Sequence, residues 1–219
     1  MSQRPPPEIH SLALPGKGDM LVAPSAERNL GPIRDLLVQV APQTGRALEL
    51  ASGTGQHVVA LAAALPGLAW QPSEPAPERR ASIAAHVAAS GLRNVAAPID
   101  LDATAPGWGA RLDGQALVFL SNLLHLIAWP AVRTLIGEAA RALAPGGTLV
   151  IYGPFMRAGE LTSDGDRAFH RALVAQNPAF GYKDDFDVMD LIQAAGLTMV
   201  EVIEMPANNL ALVAAKKPT

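Results

Sequence analysis

The 219-residue sequence contains no cysteine, which removes disulfides, thiolate metal sites and a thiol nucleophile together. Charge is also scarce. Charged residues make up 17% of the chain, the formal net charge is -3, and no basic run stands out. A nucleic-acid backbone is bound through clustered positive charge, so no nucleic-acid partner is expected. Uninterrupted apolar runs, such as residues 58–65, fall far short of the ~20 residues a spanning helix needs, so no membrane partner is expected either. The N-terminus carries Pro5, Pro6 and Pro7 but no apolar stretch like that of a signal peptide. These absences make a cytoplasmic protein the expectation. The five histidines, His10, His57, His86, His125 and His170, lack ligand-like spacing, and no metal site is expected.

What is present is apolar: 49% of the residues are hydrophobic. A chain of this length and composition fits one α/β domain with a real core. Residues 1–24 read as a draped arm, because the prolines and Gly16-Lys17-Gly18 resist regular structure. Residues 25–219 read as the domain. Ser25 is placed to cap a helix to about Val40, with Ile33, Leu36, Leu37 and Val40 on one stripe.

From Arg46 the pattern alternates between short apolar runs and helical stripes. Strands are expected at residues 47–51, 68–73, 95–99, 116–120 and 148–152, with helices between them. That rhythm is the signature of a parallel, doubly wound sheet with helices on both faces. The tail breaks it. Residues 199–205 and 210–215 read as strands separated only by Pro206-Ala207-Asn208-Asn209. That linker is too short for a crossover helix, so the two strands should pair antiparallel. The expectation is a Rossmann-like, seven-stranded, mostly parallel sheet ending in an antiparallel hairpin, the layout of a class I methyltransferase. The polar stretch 153–183 is long for a loop and is expected to cover an acceptor site.

The chemistry-bearing signal begins after the first of these strands, at Glu49-Leu50-Ala51-Ser52-Gly53-Thr54-Gly55-Gln56-His57. A chain that turns sharply with glycines into a helix leaves backbone N–H groups open at a ligand crevice. Gly53 and Gly55 would admit a ligand close to the backbone. Two glycines alone fit a plain βα turn equally well. Glu74 adds weight, since it follows the second strand 19 residues after Gly55, where an acid accepts hydrogen bonds from ribose hydroxyls. Asp100, ending the third expected strand, would sit beside an adenine with Leu101, or would simply cap a loop. A dinucleotide site is the rival reading, but the third glycine of its motif would fall on Val58.

Several words are more specific. Ala23-Pro24-Ser25-Ala26-Glu27-Arg28-Asn29, Leu48 to His57, Leu65 to Glu74, Ser121-Asn122-Leu123-Leu124-His125 with Trp129, Tyr152-Gly153-Pro154-Phe155 and Met205 to Leu210 occur in that order. Together they resemble the methyltransferase-like twenty-six family, catalogued as a domain of unknown function, over about residues 20–215. The resemblance implies a class I fold and binding of S-adenosylmethionine, with S-adenosylhomocysteine as product. It implies a cofactor site drawing on Glu49, Ala51, Ser52, Gly53, Gly55, His57, Glu74, Asp100, Leu101 and Asn122, with Arg28 and Asn29 on a lid and Glu49 toward the cofactor's ammonium. The family tends to carry Asp where Glu74 stands. It also favours a Ser-Asn and a Phe-Asp pair where this chain reads Asp164-Gly165-Asp166 and Phe169-His170.

Methyl transfer is an in-line displacement, so alignment and a dry pocket matter more than proton chemistry. Asn122 is the expected acceptor-orienting group and His125 the expected base. Tyr152, ending the fifth expected strand, would line the same pocket or be a buried, satisfied core residue. The acceptor is expected to be a small molecule, with a homodimer left open. A catalytically silent cofactor-binding module and an NAD-linked oxidoreductase are the competing functions.

Overall fold

The computed structural model describes residues 13–218; Pro5, Pro6, Pro7 and His10 lie outside them. Two short strands, β1 (Leu14–Pro15) and β2 (Leu21–Val22), pair antiparallel around Gly16-Lys17-Gly18. This ribbon is fastened to the body: Leu21 N donates to Ser82 Oγ at 2.8 Å, and Leu21 O meets His86 Nε2 at 2.9 Å. The segment read as an arm therefore has regular structure from residue 14.

Helix α1 (Pro24–Val40) follows. Its N-cap is Ala23 rather than Ser25, with Pro24 in the first turn and no side-chain cap. Pro24 needs no hydrogen-bond partner at that position, and its fixed φ starts the helix there. Then come β3 (Gly45–Leu50), α2 (Gln56–Ala64), β4 (Leu68–Pro72), α3 (Pro77–Ser90), α4 (Trp108–Arg111), β5 (Gln115–Ser121) and α5 (Trp129–Ala142). The second half holds β6 (Leu143–Met156), α6 (Asp164–Gln176), β7 (Lys183–Asp184), α7 (Asp185–Ala194), β8 (Leu197–Met205) and β9 (Asn209–Lys216).

The main sheet runs β4-β3-β5-β6-β9-β8, with β7 paired to the end of β6 as the seventh strand. All pairs among β3, β4, β5, β6 and β7 are parallel, and β9 is antiparallel to both β6 and β8. The expected terminal hairpin is present. The expected strand at 95–99 is not: only the isolated bridges Trp70↔Val95 and Ser73↔Ile99 remain. The reason is local. Ala96 N donates to Trp70 O, and Ile99 N donates to Pro72 O, but Pro72 and Pro98 both fall in the gap between these bonds. Neither proline can donate, so a continuous ladder cannot form there. Gln71 Nε2 fills part of the gap by donating to Ala97 O at 2.7 Å.

Side chains alternate across the sheet. Ala47, Phe119, Val150, Tyr152 and Ala211 pack with Ile33 and Leu37 of α1 and Val58 and Leu61 of α2. Leu48, Leu50, Val118, Leu120 and Ile151 pack instead with Val132 and Ile136 of α5 and Val188 and Ile192 of α7. Both faces are covered, which is why these strands read as continuous apolar runs.

Candidate active site

The connection after β3 crosses to β4 on one side, while the next strand of the sheet, β5, lies on the other. Ligands of open α/β sheets bind at such a switch point, outside the carboxyl ends of the strands. The loop Ala51–Gly55 occupies it. Ala51 (φ 51°), Gly53 (φ 58°) and Gly55 (φ 94°) are all left-handed, so the chain turns back on itself before α2 starts. For Ala51 that conformation is strained, a condition that concentrates at functional sites.

The two glycines have separate duties. A Cβ on Gly55 would lie 2.7 Å from Ile83 Cα, so Gly55 lets α3 pack against the turn. A Cβ on Gly53 would meet nothing nearer than Ala51 O at 4.0 Å. Gly53 is the one that faces the open cleft.

Hydrogen bonds lock the loop to the ends of β3 and β4. Ser52 N donates to Ser73 O, Ser73 N to Glu49 O, and Ser73 Oγ to Glu49 O at 2.8 Å. Glu74, 4% exposed, accepts from Gly53 N at 3.0 Å through Oε2 and from Ala76 N at 3.3 Å through Oε1. Burial raises its pKa. Glu49 is more deeply buried, and its Oε2 has no hydrogen-bond partner. Burial pushes its pKa up to about 8, against the opposing effect of a Ser52 hydrogen bond.

The cleft is bounded on one side by the loop through Ala51, Ser52, Gly53 and Thr54, and on the other by Ser121, Asn122 and Leu123 at the end of β5. Asn122 is held at φ 55°, with its N–H donating to Tyr152 O at 2.8 Å. His57, from the first turn of α2, forms part of the wall; its Nε2 is buried without a partner. Burial lowers the His57 pKa to about 4.

The roof is the start of α1. Ala23, Ser25 and Ala26 line the cleft, and Ala23 N donates to Gln56 Oε1 at 2.7 Å, which also accepts from Thr54 Oγ1. Arg28 is exposed and Asn29 half-buried, and neither lines the cleft. Thr54 and Gln56 lie within the glycine loop but carry no role in the sequence reading, and Arg79 of α3, which also lines the cleft, is one of several arginines that spacing does not single out.

Other expected site residues lie elsewhere. Asp100 is exposed and paired with Arg80 at 3.2 Å. Leu101 is buried in the core beneath α5. Tyr152 is 1% exposed, packed on the α1/α2 face, and its hydroxyl is unpartnered; burial pushes its pKa up to about 12. His125 departs furthest from the expectation of a base facing the crevice. Its neighbours Leu123 and Leu126 line the cleft, but its ring packs edge-on against Phe169 and Tyr182, at 5.6 and 6.3 Å between centroids. Gly181 N donates to His125 O. A single 3-10 turn, Leu124–Leu126, rotates the side chain away from β5 toward the segment carrying α6. Burial, then Lys183, lowers its pKa to about 4. Among the described residues no cluster of His, Asp and Glu is placed to hold a metal, and no helix is long and apolar enough to cross a membrane.

A family model described as "Protein of unknown function (DUF938)" matches residues 20–216. The chain belongs to this family. The fold of this DUF938 member is shared with solved methyltransferases. An O-methyltransferase family protein from Burkholderia thailandensis superposes with a TM-score of 0.76 at 18% identity, covering 89% of this chain and 58% of that one. Human N-acetylserotonin methyltransferase in complex with S-adenosylmethionine gives 0.72 at 15%, over 89% and 53%. An O-methyltransferase family 2 protein from Planctomyces limnophilus in complex with apigenin gives 0.72 at 19%, over 88% and 60%. The DUF938 chain thus spans a little over half the length of each. Its architecture is the Rossmann-like methyltransferase fold.

Proposed function

We propose that this protein is an S-adenosylmethionine-dependent methyltransferase acting on a small molecule. The observation that carries the proposal is the buried Glu49 carboxyl with a free oxygen, set under a left-handed loop at the switch point of this fold. A buried carboxyl without a partner is costly, and a cationic ligand group would relieve that cost. The open side of Gly53, which any Cβ would narrow, fits close backbone approach by the same ligand.

On this reading Glu49, Ala51, Ser52, Gly53 and His57 hold the amino-acid end of the cofactor. Glu74 takes the ribose, while Asp100 stays paired with Arg80 outside the cleft and Leu101 stays in the core. Gly55 shapes the turn. Arg28 and Asn29 belong to the covering helix. S-adenosylmethionine supplies a methyl group on a sulfonium, which needs no further activation to leave. Asn122 orients the acceptor, and the roof of α1 keeps water out. Tyr152 borders the acceptor side, and His125 acts through its packing against the segment 153–183, which covers the acceptor. The O-methyltransferase neighbours support an oxygen acceptor, and kinship to the methyltransferase-like twenty-six family rests on the sequence words given above.

Calorimetry with S-adenosylmethionine and S-adenosylhomocysteine tests the reading; absence of binding at millimolar ligand ends it. The turned-away ring of His125 favours one alternative, a cofactor-binding module without turnover that works through a partner. That alternative requires tight cofactor binding with no methylation of any acceptor offered.

A further inference from the structure

Three basic side chains from three different elements converge on one glycine between α6 and β7. Gly181 N donates to His125 O at 2.9 Å, and Gly181 O accepts from Lys183 Nζ at 3.0 Å. The His170 ring packs on the same residue: a Cβ on Gly181 would meet His170 Cε1 at 2.9 Å and Nδ1 at 3.1 Å. Tyr182, the next residue, stands edge-on to both imidazoles, and Phe169 closes the group against His125 and Tyr182.

Lys183 is only 8% exposed, and an ammonium withdrawn from water needs a counter-charge or a full set of acceptors. It has neither. Its acceptors among the described residues are two carbonyls, Gly181 O and, at 3.4 Å, Ala179 O, which leaves one of its three N–H bonds over. No ion pair among the described residues includes it. The acids close to it in the fold are committed elsewhere. Asp184 accepts from Phe186 N and Asp187 N, and Asp185 from Ala158 N. Asp166 accepts from Thr162, Ser163, Tyr182 and Asn208.

The imidazoles add donors without adding charge. His170 Nδ1 accepts from Tyr182 N at 3.1 Å, so the ring proton is on Nε2, which is a donor. The His125 ring makes edge contacts but no hydrogen bond among the described residues. Burial, then Lys183, lowers the pKa of both rings, so the ammonium is the one charge of the cluster. One positive charge with several N–H donors matches a carboxylate; a phosphate dianion would bring one negative charge too many. The cluster also adjoins the cleft, because Leu123 and Leu126, on either side of the Leu124–His125 pair, line it.

We propose that Lys183, His170 and His125 form a receptor for a carboxylate of the methyl acceptor, which makes the acceptor a small carboxylic acid whose other end reaches the cleft beside Asn122. The proposal rests on the reading that residues 153–183 cover the acceptor site. His125 then binds the acceptor instead of taking its proton.

The test uses the full chain at pH 7 and three probes: benzoate, benzamide, which has the shape of benzoate without its charge, and inorganic phosphate. The imidazole resonances of His125 and His170 are followed by NMR through each titration, with and without S-adenosylhomocysteine. Benzoate should shift both rings saturably and bind at least about tenfold more tightly than benzamide, the equivalent of one charge-assisted hydrogen bond. Phosphate should displace it only at higher concentration. Lys183→Met should weaken benzoate at least about tenfold and Lys183→Arg should retain most of the binding, with the Tm of each variant showing that it has folded. In the wild type alone, benzoate binding no tighter than benzamide overturns the inference, and so do imidazoles that benzoate leaves unmoved or a preference for phosphate. Undiminished benzoate binding by folded Lys183→Met overturns it as well. Failure to bind S-adenosylhomocysteine, with benzoate still shifting both rings, would instead remove the methyl-donor reading and leave the carboxylate receptor in place.

Discussion

Gly53 and Gly55 look interchangeable in the sequence, and their surroundings make them opposites. Gly55→Ala combines a φ of +94° with a contact of 2.7 Å to backbone that cannot give way. We expect a loss of about 2–4 kcal/mol, read as a fall in Tm of roughly 10 °C. Gly53→Ala meets no such wall, so only the left-handed conformation opposes it, at about 1 kcal/mol; its main effect should be weaker cofactor binding in calorimetry. The buried titratable groups give a second expectation. Glu49 has a folded pKa above its unfolded one, so its contribution is complete below about pH 4.5 and is lost as pH rises through about 8. His57 and His125 are depressed to about 4, so their contributions hold above about pH 6.5 and fade on acidification. Stability should therefore peak in mildly acidic solution. Glu49→Gln should raise Tm progressively more as pH climbs from 5 to 8, and a Tm difference independent of pH would contradict the burial argument.

At the scale of elements, helix α6 begins on a side-chain cap that also ties it to its neighbours. Ser163 caps it by accepting from Asp166 N at 3.1 Å, while Ser163 Oγ donates to Asp166 Oδ2 at 2.7 Å. The same Asp166 carboxylate accepts from Tyr182 OH and from Asn208 Nδ2, so one acid ties α6 to the segment before β7 and to the β8–β9 turn. Ser163→Ala should cost about 1 kcal/mol. Amide exchange should show the loss in α6 and residues 177–183, with β3, β5 and β6 unchanged; uniform loss across the sheet would mean α6 is not a separate unit. The unrealised third strand belongs to this scale as well. Residues 95–99 have the apolar character of a strand, but a ladder needs donors on both sides, and Pro72 opposite Pro98 removes them.

For the whole molecule, a ligand that bridges the β3 loop, the end of β5 and the start of α1 should stabilise all three at once. At 100 times its Kd, S-adenosylhomocysteine should add about 2.7 kcal/mol and raise Tm by roughly 5–10 °C; no shift under saturation would contradict a site placed at this junction. Most of this architecture was legible from pattern alone. Alternating apolar strands and amphipathic helices are local properties, and so is a linker too short for a crossover, which is why the parallel strands and the terminal hairpin are legible directly. The glycine loop and the acid after the second strand were likewise visible as spacing. Tertiary structure decided the rest. Whether His125 or His57 faces the cleft depends on a rotation of one turn after β5 and on which helix covers which face, and neither leaves a trace in residue order. Gly55 differs from Gly53 only through Ile83, 28 positions away. The sequence by itself determined six of the sheet's seven strands and the place of the crevice, because those follow from periodicity and chain connectivity. Which side chains wall the crevice, and which carboxyl and imidazole wait there without partners, was decided by packing between segments distant in the chain.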